Sequence, residues 1–145
     1  MRRHQSSKQQ QGVGLIEVLV SLVLLSFCLL GMAALQASAL RNNQSAQSRS
    51  MATIMSASIS ESMRANITAA KNGAYNVSPC ATNTSDALAA SDVNAWARSL
   101  KSAIGQTACG GIACTAGLCD ITVQWDDSRA TSGVTSYSMT TRVQL

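Results

Sequence analysis

The residues able to do chemistry in this 145-residue chain are few: five cysteines, one histidine, one adjacent acidic pair and one isolated glutamate. Cys80, Cys109, Cys114 and Cys119 fall in the C-terminal half, while Cys28 sits in an apolar run and reads as a small packing residue. In an oxidising compartment four cysteines make two disulfides, with three pairings open. Zinc held by Cys109, Cys114 and Cys119 is the competing reading. Their spacing is not that of a zinc ribbon, and the single histidine, His4, lies at the other end of the chain. Asp126-Asp127 sits in a turn, where two adjacent acids read as a solvated corner, not as calcium ligands. No phosphate-cradling loop occurs, and with His4 ahead of the apolar run no Ser-His or Cys-His pair can form beyond it. The chain reads as a non-enzyme without metal or cofactor.

Glu17 is the remaining chemical feature, and its surroundings make it anomalous. From Val18 to Leu40 there is no charged residue, a run of 23 positions. Roughly 20 apolar residues suffice to cross a bilayer as a helix. A carboxylate carried into lipid at the head of such a helix costs about 2.5–3.5 kcal/mol near the bilayer centre and less at the interface, so it calls for a cationic partner. None follows within the run.

Composition agrees with this division. Hydrophobic residues make up 46% and charged residues 12%, so apolar content is concentrated in one segment. The net charge of +4 is also local. Without Arg2, Arg3 and Lys8, which precede the run, eight bases face seven acids. The balance argues against a nucleic-acid surface and for a positive-inside anchor with its N-terminus in the cytoplasm. A cleaved secretory signal ending at Ala37-Ser38-Ala39 is less consistent, because such signals carry an apolar region of roughly 7–15 residues.

The stretch Gly12-Val13-Gly14-Leu15-Ile16-Glu17, followed by a long apolar helix, resembles the class III signal of type IV pilins and pseudopilins. The wider run to Gln36, including Leu29-Leu30-Gly31-Met32-Ala33-Ala34-Leu35-Gln36, is similar to PilV-type minor pilins, although Val13 stands where major pilins usually carry phenylalanine. The resemblance implies cleavage between Gly12 and Val13 by a prepilin peptidase, methylation of the Val13 amine, and docking of Glu17 against such an amine on a neighbouring subunit. Cleavage would thus create the missing cation. It further implies a structural subunit of a type IV pilus that helps initiate assembly near the filament tip. Its partners would be other minor pilins, the major pilin, the inner-membrane assembly platform and the lipid bilayer, but no nucleic acid. The chain would begin as a single-pass inner-membrane protein with a periplasmic head and end in an extracellular pilus. A minor pseudopilin of type II secretion shares the signal. A monomeric membrane-anchored periplasmic binding or redox module is the alternative of another class.

The elements that must position these residues follow from periodicity. The spacing predicts a helix from Val13 to Lys71, with Met51, Ala52, Met55, Ile59, Met63, Ile67 and Ala70 on one face and Gly73 as its cap. Residues 74–90 read as a loop whose sequons at Asn76 and Asn83, like that at Asn66, reflect composition. A second helix is expected from a cap at Ser91, with Val93, Trp96, Ala97, Leu100 and Ile104 inward. Residues 105–117 read as irregular or a short strand. Ile121, Val123 and Trp125 alternate with polar residues as a half-buried strand does, and 134–145 is its expected partner. The expected fold is α+β, a pilin-like long N-terminal helix, half membrane-spanning and half amphipathic, packed on a small antiparallel sheet head. Its expected parts are a leader (1–12), a membrane or filament-core helix (13–40), the amphipathic half (41–72) and the head (73–145). The longer disulfide is expected between Cys80 and either Cys109 or Cys119, with Cys28 free.

Overall fold

The computed structural model describes residues 14–84 and 87–145. Three helices, α1 (Leu15–Ala65), α2 (Ile67–Lys71) and α3 (Ala87–Ala103), are followed by strands β1 (Cys109–Thr115), β2 (Leu118–Trp125) and β3 (Tyr137–Gln144). The arrangement is α+β and pilin-like. The chain divides into two units, Met1–Ser38 and Ala39–Leu145.

The first unit is helical from Leu15, where the Gly14 carbonyl accepts hydrogen bonds from the Glu17 and Val18 amides (3.0 and 3.3 Å). Its apolar side chains are exposed, Phe27 by 67% and Leu35 by 73%, a surface that only lipid or other apolar helices can cover. The helix is long and apolar enough to cross a membrane. Two of the hydroxyls in its apolar stretch bond back to the helix itself. Ser21 donates to the Val18 carbonyl and Ser26 to that of Leu22, each at 2.8 Å, as a segment without access to water requires.

In the second unit α1 contributes Ala52, Ser56, Ile59, Ser60 and Met63 to the core. Met51 and Met55 are only half-buried and Ile67 is exposed, so the buried face is narrower in bulk than the methionine stripe predicts. Ser56 and Ser60 complete it. Their hydroxyls bond back to the Ala52 and Ala57 carbonyls (2.8 and 2.7 Å), which removes the cost of burying them.

The expected single helix to Lys71 is interrupted at Asn66, whose φ of −119° and ψ of 51° leave the helical region. Fully buried Tyr75 packs beside the break: its hydroxyl donates to Asp92 (2.6 Å) and lies 3.5 Å from the Asn66 side-chain nitrogen and from the Ser62 carbonyl. After α2 the chain ends its helix with a Schellman motif. Gly73, at φ 80°, donates to Ala70 and Ala74 donates to Ala69.

The second long helix also departs from expectation. It begins by Ala87, so Ser91 is internal and not a cap, and Asp92 serves as acceptor for Tyr75. Ala87-Leu88-Ala89-Ala90 are strong helix formers with nothing to stop them, and the pattern of inward residues hid the extra turn. Ala89, Val93, Trp96 and Leu100 are buried, while Ala97 and Ile104 are half-buried. Trp96 lies against α1, its indole nitrogen donating to the Met55 carbonyl at 2.9 Å.

The sheet order is β1-β2-β3, antiparallel throughout. Residues 109–115, expected to be irregular or a short strand, form a full seven-residue strand paired along its length with β2, and its two glycines stand where side chains would clash. A side-chain carbon on Gly110 would come within 2.2 Å of the Trp96 ring, and one on Gly111 within 2.8 Å of Pro79. The strand can pass beneath both only without side chains. Ala116 and Gly117, at φ 51° and 83°, make the tight turn into β2 with the twist that suits a two-residue hairpin. Cys119, Ile121, Val123 and Trp125 face the core.

Candidate processing and docking segment

Gly12 and Val13, the expected cleavage and methylation positions, lie outside the described residues, as does the expected leader 1–12. Glu17 is exposed in the first turn of α1, where a carboxylate is favoured by the unpaired amides of the helix start. Val20, Ser21 and Leu24 follow at helical spacing, so the carboxylate heads an otherwise uncharged face. Among the described residues no cation is ion-paired with it.

In the second unit the described aspartates are engaged by other groups of the chain. Asp127 is buried, accepts the Ser45 hydroxyl at 2.8 Å and lies 3.7 Å from the Arg49 guanidinium, which also covers the Tyr137 ring at 4.6 Å from its centroid. This ties the β2–β3 loop to α1 across 82 positions. Nothing in residue spacing signals that contact, and sequence reasoning missed it. The Asp126 carboxylate takes hydrogen bonds from the Ser128 side chain and backbone, which hold it below the usual carboxylate range. Among the described residues no three of His, Cys, Asp or Glu gather as a metal site would require.

The asparagines of the sequons are equally engaged. Asn83 is buried and donates to the Ala74 carbonyl at 2.8 Å, and Asn76 exchanges hydrogen bonds with the Cys114 backbone. Cys80 is joined to Cys109 and Cys114 to Cys119, the latter pair facing each other across the β1–β2 hairpin. Cys28 is a free, exposed thiol on α1.

On the outer sheet face Arg142 grips Asp120 with two parallel bonds (2.7 and 2.8 Å). The Arg142 hydrogen bonds hold the Asp120 carboxyl below its ordinary 3.8, while Arg142 is pushed up. A depressed carboxyl adds stability that is fully present above its unfolded value and lost as pH falls through the folded one. Thermal melts of wild type and Asp120→Asn are therefore expected to differ by a small, constant margin above about pH 5 and to converge below 3.8. Both groups are solvent-exposed, so added salt is expected to narrow the margin.

Residues 7–33, which carry Gly12, Val13, Glu17 and most of the apolar run, match the family described as the prokaryotic N-terminal methylation motif. No curated protein and no solved structure matches the chain. The match covers the signal segment and supports a type IV pilin-like protein, a description that covers pilins and pseudopilins. An apolar helix of this kind fits anchoring in the inner membrane.

Proposed function

We propose that this chain is a minor pilin, a structural subunit of a type IV pilus of the PilV type that helps initiate assembly and sits near the filament tip. The observation that carries the reading is Glu17, an isolated carboxylate at the head of an exposed apolar helix within the matched motif. Prepilin peptidase removes residues 1–12, cutting between Gly12 and Val13, and the methylated Val13 amine becomes the cation that a neighbour's Glu17 requires. In a low-dielectric filament core an unpaired carboxylate is costly, so subunits dock in the axial register that pairs the two groups. Residues 13–40 then serve first as the membrane anchor and later as the filament core. Residues 41–72 and the periplasmic head 73–145 face other minor pilins, the major pilin and the assembly platform. Its role is structural.

Sequencing the N-terminus of the mature chain tests the first step. Methylated Val13 is the expected residue; Leu40 would indicate signal peptidase, and Met1 or Arg2 an uncleaved anchor, either of which removes the reading. A minor pseudopilin of type II secretion would share the same N-terminus. Deleting the gene is expected to abolish twitching motility and spare protein secretion, and the opposite pattern would favour the pseudopilin. Recovery of the chain in sheared, purified pili would exclude a solitary membrane-anchored module.

A further inference from the structure

The two disulfides differ in what surrounds them. Cys114–Cys119 lies between paired strand positions, and Cys119 is fully buried. Cys80 is exposed on the loop leading to α3, and its partner Cys109 is half-buried at the start of β1. A cavity of about 450 Å³ opens on this second bridge. Arg98 and Lys101, one turn apart on α3, line it together with Thr82, Asn94 and Gln106. Its described lining holds no carboxylate, and neither base has an ion-pair partner among the described residues.

We propose that Cys80–Cys109 is a site of thiol–disulfide exchange selective for anionic thiols. Two uncompensated positive charges beside an accessible disulfide raise the local concentration of an anionic thiolate and stabilise the thiolate that is displaced. The incoming sulfur forms a bond to the exposed Cys80 Sγ with its own electron pair. The Cys80–Cys109 bond breaks, and its electron pair leaves on Cys109 Sγ, which can take a proton from water. The product is a mixed disulfide at Cys80 with a free thiol at Cys109. Attack by the Cys109 thiolate on Cys80 Sγ reverses the step and expels the reagent, so no separate oxidant enters.

Cys80 sits at φ 67°, in the left-handed region that few residues with a side chain adopt. The head need not unfold for the bridge to open. Val77 and Ile112 exchange two hydrogen bonds of 2.9 Å, and the Cys80 amide donates to the Gly110 carbonyl at 3.2 Å, so the loop stays fastened to β1.

The full chain in detergent micelles is treated with 2-mercaptoethanesulfonate or with uncharged 2-mercaptoethanol at equal thiolate concentration. Free thiols are trapped with iodoacetamide over time, and peptide mapping reads both the alkylated cysteine and the reagent's mixed disulfide on its former partner. Cys80 and Cys109 are expected to open at least about tenfold faster than Cys114 and Cys119, and the anionic reagent to outpace the neutral one by about threefold or more. That preference is expected to vanish in Arg98→Gln/Lys101→Gln, and in wild type at about 1 M salt, where charges are screened beyond about 3 Å. Earlier opening of Cys114–Cys119, equal rates for the two reagents at low salt, or a preference that survives both charge removal and salt would overturn the proposal.

Discussion

Glu17→Leu is expected to leave the chain anchored in the membrane and to remove it from filaments. Leucine makes the segment more apolar, so insertion is unimpaired, whereas the carboxylate lost is worth about 2.5–3.5 kcal/mol near the bilayer centre when unpaired. On the proposed reading that cost is what docking relieves. Its removal abolishes the preference for one axial register, and since Glu17 heads the helix, where the cost is below the bilayer-centre figure, the bias is at most roughly a hundredfold in occupancy, about 1.4 kcal/mol being tenfold. Quantitative blotting of membrane and sheared-pilus fractions checks it. Wild-type levels of the variant in both fractions would show that Glu17 plays no part in docking. Processing to Val13 should be unaffected, which separates this effect from a failure at Gly12.

The second large effect is on the head. Trp96 is 5% exposed, packs its ring over Gly110 and donates to the Met55 carbonyl, so it joins α3, β1 and α1 at one point. Trp96→Ala removes that volume and leaves a cavity, at a cost of about 3–5 kcal/mol. Stability of a small domain is only about 5–15 kcal/mol in total. The variant's melting temperature is expected to fall by on the order of 10–20 °C, read by circular dichroism of the purified chain. Trp96→Phe keeps much of the ring and loses the indole donor, so it should cost far less, with about 1 kcal/mol from the hydrogen bond itself. Similar melting for the alanine and phenylalanine variants would mean that the ring does not join these elements.

Along the chain, charge and period were enough to reveal a helix apolar and long enough to cross a membrane, the anomaly of Glu17, the inward face of α3 and the alternation in β2. Each is a local property. Absence of charge over 23 residues and a repeat of two or of three to four residues are set by neighbours in sequence, and they survive in any fold that buries them.

Other features depended on partners brought together from afar. Asn66 is a weaker helix former than Ala65 or Arg64, yet its spacing does not mark the break, which lies beside the buried Tyr75 hydroxyl and its Asp92 acceptor. Gly110-Gly111 reads as a strand breaker until the Trp96 ring and Pro79 occupy the space that two side chains would fill. Four cysteines allow three pairings, and only the register that sets Cys114 opposite Cys119, together with the Val77–Ile112 bridge that lays Cys80 along β1 near Cys109, selects one. Asp127 in the same way becomes a structural tie only when Ser45 meets it. Strand register and helix packing decide which distant residues meet, and neither is written in the spacing of any one segment.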